Sequence, residues 1–135
     1  MEPIESNDYR AKQGIKLNNI PTLQTFDKSD KKLKKELEEV REDLGKFQNT
    51  LWAHRKYSVL ICLQGMDTAG KDSLIREVFK DCNANGVEVH SFKVPTDLER
   101  SHDYIWRHYL ALPSKGKFGV FNTTHYENVL VTRVH

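Results

Sequence analysis

The length, composition and charge of the chain exclude several classes of protein. A chain of 135 residues, 38% hydrophobic and 30% charged, has the composition of one small globular domain with a single core. Its 21 basic and 19 acidic side chains give a net charge of +2, which is too even a balance to indicate a nucleic-acid-binding protein. The sequence shows no apolar run of the roughly 20 residues that a membrane helix needs, and its start lacks the pattern of a signal peptide. We therefore expect a cytoplasmic protein with no membrane and no nucleic-acid partner.

The first 54 residues divide into two segments with different patterns. Residues 1–28 mix polar side chains with prolines and a glycine and show no periodicity, which indicates an extended arm. Residues 29–54 carry apolar side chains at alternating steps of four and three, which predicts an amphipathic helix of about seven turns. The apolar positions are Leu33, Leu37, Val40, Leu44, Phe47 and Leu51. This stripe suits packing on the chain's own domain or a short coiled-coil seam, and both uses stay open.

The remaining residues, 55–135, alternate predicted strands and helices. The predicted strands are 57–64, 87–92 and 117–122, and the predicted helices are 71–82 and 98–112. The order β-α-β-α-β predicts an α/β fold in which helices flank both faces of a parallel sheet. The first strand is an almost continuous apolar run, which is typical of burial on both faces. We expect the third strand to lie at an open edge of the sheet.

The strongest functional signal lies between the first predicted strand and the helix that follows it. The sequence GMDTAGKD, residues 65–72, has the G-x-x-x-x-G-K spacing of a P-loop in the strand-loop-helix setting that a P-loop requires. Its glycines let backbone N–H groups point at phosphate oxygens, and the start of the helix adds a partial positive charge. The predicted phosphate contacts here are Gly65, Met66, Thr68, Ala69, Gly70, Lys71 and Asp72. Asp72 has a second interpretation, in which its carboxylate only stabilises the positive helix start.

Two carboxylates are candidate Mg²⁺ ligands. Asp67 lies inside the loop, where a phosphate would repel it unless a cation lay between them, so it is a metal ligand or a base for an attacking phosphate. Glu127 follows the third predicted strand, at the carboxyl edge where open α/β sheets bind ligands. His125 in the same segment is either a catalytic acid or base, or a hydrogen-bonded structural residue.

Further candidate phosphate contacts follow the second and third predicted strands. Lys93 begins a group of basic residues that would suit an anionic polymer, and Arg107 belongs to the same group. The aromatic residues around Arg107 are interpreted as core rather than as a base-stacking platform. Asn122 and Thr123 fall at the carboxyl edge of the sheet.

Three long stretches of the sequence resemble one known family. LQGMDTAGKDSLIREVF, SFKVPTDLERSHDYIWRHYLALPSKGKFGVFN and HYENVLVTRVH closely resemble the polyphosphate kinase 2 family. The resemblance implies a fold similar to thymidylate kinase, Mg²⁺ as cofactor, and phosphoryl transfer between inorganic polyphosphate and ADP, AMP or GDP. It also implies that Asp67 and Lys71 are the catalytic pair, that Arg107 is an auxiliary phosphate contact, and that the protein forms homo-oligomers.

Two departures from the family pattern suggest an alternative. The family usually has an arginine where Thr123 stands, and a threonine brings no charge to a phosphate. Members of the family are also longer, so we expect the lid helices and last strands to be missing and the 55–135 core to be incomplete. The chain is then either an active phosphotransferase or a binding module that holds polyphosphate or nucleotide phosphates without turnover. An ordinary P-loop NTPase is disfavoured, because Ser or Thr would follow Lys71.

Overall fold

The computed structural model describes residues 10, 13–20, 29–66 and 68–123. Its helices are α1 (Asp30–His54), α2 (Lys71–Val78), α3 (Asp97–Arg100) and α4 (Trp106–Leu110). Its strands are β1 (Val59–Cys62), β2 (Val87–His90) and β3 (Phe118–Phe121). Most of the predicted extended arm lies outside the described residues. None of the described helices has the length and apolar character to span a membrane.

The three strands form a parallel sheet in the order β1, β3, β2. Phe118 of β3 pairs with Val59 of β1 on one side and with Val87 of β2 on the other. The prediction that the third strand lies at an edge was therefore wrong. It assumed that the strands follow chain order, whereas the crossover through α3 and α4 returns the chain to the middle of the sheet. A mixed α/β fold with a parallel sheet and flanking helices is confirmed.

The core is centred on β3, which is buried on both faces. Phe118, Val120 and Phe121 are each at most 2% exposed. On one face, the Phe118 ring lies 6.1 Å from the ring of Phe47 in α1 and 5.9 Å from that of Phe79 at the end of α2. On the other face, the Phe121 ring lies 4.8 Å from Phe92 and 6.0 Å from His108 of α4. Helices therefore cover both faces of the central strand, as predicted.

Burial of the first strand on both faces was predicted wrongly. Val59 and Ile61 are half-buried, whereas Leu60 and Cys62 are exposed. An apolar run shows that a strand can be buried. The packing of helices on the sheet determines which of the strands is actually buried. The register places Leu60 beside Gly119 and Cys62 beside Phe121, so these residues share one face of the sheet. On this face α4 covers β3, whereas the side chains of β1 stay exposed.

The predicted helix over residues 98–112 is divided into α3 and α4. α3 begins with a capping box, in which the Thr96 hydroxyl accepts from the Glu99 amide and the Glu99 carboxylate accepts from the Thr96 amide. After α3, the Ser101 hydroxyl donates to the Leu98 carbonyl, and the Asp103 carboxylate accepts from the Ile105 amide. Such side-chain bonds to nearby backbone compete with the helical ladder, which explains the break. Similarly, α2 ends at Val78, before the predicted end at residue 82.

Helix α1 is attached to the domain mainly by polar contacts. Arg41 forms ion pairs with Glu77 at 3.3 Å and Asp81 at 3.1 Å. Gln48, which is 1% exposed, donates to the Asn83 carbonyl and accepts from the Asn83 amide, each at 2.7 Å. These contacts support packing on the chain's own domain. Part of the predicted apolar stripe is nevertheless exposed: Leu37 by 39%, Val40 by 65% and Phe47 by 53%.

Candidate functional site

The predicted P-loop lies between β1 and α2, as the sequence indicates. Two residues of this loop have left-handed backbone conformations, Thr68 with φ 64° and Gly70 with φ 88°. Glycine adopts this conformation freely, but a threonine in it costs about 1 kcal/mol. Gly70 caps α2, whose first backbone N–H groups have no partner within the helix and carry a partial positive charge. The loop therefore delivers a group of N–H donors to one place.

Lys71 folds back over this loop. Its ammonium nitrogen donates to the carbonyl oxygens of Gly65 at 2.6 Å and Met66 at 3.1 Å. The Ala69 amide also donates to the Met66 carbonyl, at 3.1 Å, which closes a tight turn. The positive charge of Lys71 is thus held at the loop beside the start of α2.

An open cleft joins this loop to the carboxyl ends of β2 and β3. Its volume is about 540 Å³, within the usual range for a ligand site. It is lined by Thr68, Ala69, Gly70, Lys71, Asp72, Ser73, Ser91, Phe92, Lys93, Asn122 and Thr123. We call it the phosphate cleft. Of these, Ser73, Ser91 and Phe92 were not predicted as site residues. The sequence placed Ser91 and Phe92 inside the second predicted strand, whereas β2 ends at His90.

A second cleft of about 520 Å³ lies on another side of the same loop. It is lined by Leu63, Gln64, Gly65, Ala69, Gly70, Lys71, Ser73, Leu74 and Glu77. Gly65 therefore lies with this cleft, and Met66, which is 85% exposed, lines neither of the two. Lys71 and Gly70 line both clefts, so the loop and its lysine stand at their junction.

Asn122 connects the three elements around the phosphate cleft. Its amide nitrogen donates to the Asp72 carboxylate at 2.6 Å and to the Ser91 hydroxyl at 3.3 Å. Its side-chain oxygen is buried and makes no hydrogen bond with any residue that the structure describes. The Asp72 carboxylate is the kind of oxygen ligand that Mg²⁺ prefers, whereas Asn122 presents its amide nitrogen to Asp72 and keeps its oxygen buried.

The two predicted metal ligands, Asp67 and Glu127, lie outside the described residues. His125, the candidate catalytic acid or base, also lies outside them. Within the described part of the chain, no group of three or more His, Cys, Asp or Glu side chains could hold a metal ion. A full coordination shell therefore requires ligands beyond Asp72.

Thr123 is engaged in a structural contact. Its hydroxyl accepts a hydrogen bond from the Phe92 amide at 2.7 Å and donates to the Phe92 carbonyl at 3.0 Å. These two bonds join the residue after β3 to the segment after β2. Because a hydroxyl has a single proton, the one that Thr123 could offer to a phosphate is already used in this structure.

Arg107 lies behind the segment 91–93 and does not line the phosphate cleft. Its side chain is 9% exposed, and its Nη2 donates to the Lys93 carbonyl at 2.8 Å. Its Nε lies 3.4 Å from the Glu99 carboxylate. The pKa of Glu99 is lowered, chiefly because the Thr96 amide donates to its carboxylate, with a contribution from the charge of Arg107. The predicted direct contact between Arg107 and phosphate is therefore not prepared in this structure.

Comparisons with known proteins identify the family of the chain. Residues 27–135 match the family described as Polyphosphate kinase 2. The chain is 39% identical over 135 residues to an ADP-polyphosphate phosphotransferase of Rhodopseudomonas palustris. This match covers 98% of the present chain and 47% of that protein. The chain is 50% identical over 91 residues to an AMP/ADP-polyphosphate phosphotransferase of Meiothermus ruber, covering 67% of this chain and 34% of that one.

A solved structure shows the same arrangement of the backbone. The crystal structure of a polyphosphate kinase 2 from Arthrobacter aurescens superposes with a TM-score of 0.86 at 35% identity, covering 93% of this chain and 47% of that one. The chain thus spans about half the length, or less, of these relatives.

Proposed function

The chain belongs to the polyphosphate kinase 2 family, and from this premise we propose that it transfers a phosphoryl group between inorganic polyphosphate and a nucleoside mono- or diphosphate. The observation that carries the proposal is the position of Lys71 at the start of α2, where two clefts meet. The loop before it contains two residues with left-handed backbone conformations. Two clefts that meet at one lysine suit a reaction between two phosphate-bearing molecules. The names of the two relatives above make ADP and AMP the first acceptors to test. GDP is the third, because a relative from Mycolicibacterium smegmatis is named GDP-polyphosphate phosphotransferase.

The residues of the phosphate cleft supply alignment and positive charge. Phosphoryl transfer requires little covalent chemistry from a protein, and depends on placing the reacting oxygens in line and stabilising the charge on the transferred group. The backbone N–H groups at the start of α2 and the Lys71 ammonium bind the phosphoryl group, and the exposed Lys93 binds the polyphosphate chain. Incoming phosphate oxygens replace the Gly65 and Met66 carbonyls as partners of Lys71.

Magnesium is the cofactor that we assign to this site. Asp67 and Glu127, with Asp72, would hold the ion. When bound, Mg²⁺ neutralises charge on the phosphate oxygens. Asp67 also orients or deprotonates the attacking phosphate.

Steady-state kinetics with long-chain polyphosphate test this function. We expect Lys71→Ala to lower kcat by about 10²-fold or more with ADP, AMP or GDP as acceptor, since it removes a charge that acts on the transferred group. Lys80→Ala is the matched control, because Lys80 is exposed and lines neither cleft. If Lys71→Ala kept the same kcat as Lys80→Ala and the wild type, a catalytic role for Lys71 would be excluded.

A binding module without turnover is the second candidate function. The observation that favours it is the Thr123 hydroxyl, which is bonded to Phe92 and brings no charge to the cleft. An arginine that stabilises a transferring phosphoryl group is worth about 10³- to 10⁵-fold in rate in other enzymes. Polyphosphate binding that depends on Lys71, without product formation, would identify this second function.

Association with further copies of the chain is a separate part of the proposal. The exposed side chains of Leu37 and Val40 on α1 support it, because apolar side chains on one helix face are suited to packing against another protein surface. The spacing of the stripe also fits a short helix-helix seam.

A further inference from the structure

We propose that Arg107 is a positioning residue, which holds Lys93 at the phosphate cleft and is itself held by Glu99. This inference rests on the proposed function, because it concerns how the same cleft binds polyphosphate. It assigns a different task to Arg107 from the phosphate contact that the family resemblance implies.

Besides its ion pair with Glu99, Arg107 contacts the backbone of Lys93 and the ring of Phe92. Its Nη2 donates to the Lys93 carbonyl at 2.8 Å, and its guanidinium carbon lies 5.1 Å from the centroid of the Phe92 ring. Its Nη1 is buried and makes no hydrogen bond with the residues that the structure describes. A buried guanidinium behind the backbone cannot reach a phosphate in an open cleft unless the segment 91–93 first moves away.

The segment 91–93 needs such support because the sheet no longer provides it. β2 ends at His90, so Phe92 and Lys93 lie beyond the strand ladder. Thr123 fixes Phe92 through two hydrogen bonds, and Arg107 fixes Lys93 through one. The Lys93 side chain is exposed and flexible, so the position of its backbone determines where its charge can reach.

Glu99 holds Arg107 in turn, and the capping box of α3 fixes Glu99. One carboxylate oxygen of Glu99 accepts from the Thr96 amide at 2.7 Å, and the other lies 3.4 Å from Nε of Arg107. The planar guanidinium can meet Glu99, the Phe92 ring and the Lys93 carbonyl at once, whereas a lysine ammonium is a single point charge. The arrangement therefore requires arginine and not simply a positive charge.

A double-mutant cycle separates positioning from direct phosphate contact. We expect Arg107→Lys to raise the KM for polyphosphate by about tenfold with a smaller change in kcat, and to add no further increase in a Lys93→Ala background. Glu99→Gln should raise the same KM by a smaller factor, again only when Lys93 is present. Arg76→Lys is the control, since Arg76 is exposed and lines neither cleft. Wild-type KM in Arg107→Lys, or additive effects of Arg107→Lys and Lys93→Ala, would overturn the proposal.

A second measurement keeps the inference independent of turnover. Amide hydrogen exchange of residues 91–94 should become faster in Arg107→Lys than in Arg76→Lys, without polyphosphate present. Unchanged exchange in this segment would overturn the positioning role. Faster exchange in Arg107→Lys than in Arg76→Lys, together with no phosphoryl transfer by the wild type, would contradict the proposed function alone.

Discussion

Glu99 makes the free energy of unfolding of the protein depend on pH. Its folded pKa is lowered by the hydrogen bond from the Thr96 amide and by the charge of Arg107. A lowered pKa contributes stability that is complete above the ordinary glutamate range and is lost as the pH falls through the folded value. We therefore expect the free energy of unfolding to fall below about pH 4.5 more steeply in the wild type than in Glu99→Gln. Chemical denaturation at several pH values measures this, and parallel curves would contradict it.

Asn122 provides a test of the magnesium site that does not require activity. Asn122→Asp places a second carboxylate against Asp72, where the amide nitrogen now donates at 2.6 Å. The loss of this bond and the repulsion should destabilise the protein by about 1–3 kcal/mol in the absence of metal. A magnesium ion between the two carboxylates would offset the repulsion, so Mg²⁺ should raise the Tm of the variant more than that of the wild type. Equal Tm shifts would argue against metal binding at Asp72.

At the residue scale, the sequence predicted the side chains whose role depends on local geometry. Gly70 and Lys71 belong to one short loop, and their spacing along the chain already encodes the left-handed turn and the charge beside it. The contacts of Thr123 and Arg107 with the segment 91–93 were not predicted, because only the folded chain creates them. Ser91 was not predicted because the second strand was expected to run to residue 92, whereas β2 ends at His90.

Helix α1 is coupled to the turn before β2 by a close approach of Gln48 and Gly86. A Cβ atom on Gly86 would lie 2.2 Å from Nε2 of Gln48, which is fixed by its bonds to Asn83. We expect Gly86→Ala to lower the free energy of unfolding by about 1–3 kcal/mol, since a buried side chain or the backbone must shift. Urea denaturation measures this change.

The same contact predicts that the effects of two substitutions are not additive. Gln48→Ala removes the side chain that Gly86→Ala would strike, so the Gly86→Ala cost should be much smaller in a Gln48→Ala background. Glu38→Ala, at an exposed and distant position of α1, should leave that cost unchanged. Additive costs for the Gln48 and Gly86 variants would show that the two residues do not meet.

At the scale of helices and strands, periodicity predicted where elements lie but not how they are covered. α1 occupies the predicted region, yet Arg41 and Gln48 are buried while Val40 is exposed, because its contact surface offers carboxylates and backbone groups. The apolar run of β1 resembled that of a central strand, although β3 holds that place. These differences arise from packing between elements, which the pattern of one element does not contain.

The exposed stripe on α1 predicts association of whole molecules. If copies pack through this face, Val40→Glu should reduce the mass in solution to that of a monomer, since it places a charge at a side chain that is 65% exposed. Light scattering after size-exclusion chromatography measures the mass, and circular dichroism checks that the fold is retained. A wild-type protein that is monomeric at high concentration would contradict this role of α1.

For the whole molecule, the sequence predicted the fold class and the loop that organises the site, while the strand order needed the structure. The chain matches about half the length, or less, of its relatives, and that part contains the loop, the starts of two clefts and the central strand. In the proposed function, this part moves a phosphoryl group from polyphosphate to a nucleotide by means of Lys71.

The most direct test follows phosphorus atoms by ³¹P NMR in a mixture of purified protein, Mg²⁺, ADP and polyphosphate. We expect the ATP resonances to grow as polyphosphate is shortened. Lys71→Ala should abolish this growth, whereas Lys80→Ala should not. ATP formation that persists in Lys71→Ala, or the absence of any transfer by the wild type with ADP, AMP or GDP, would contradict it.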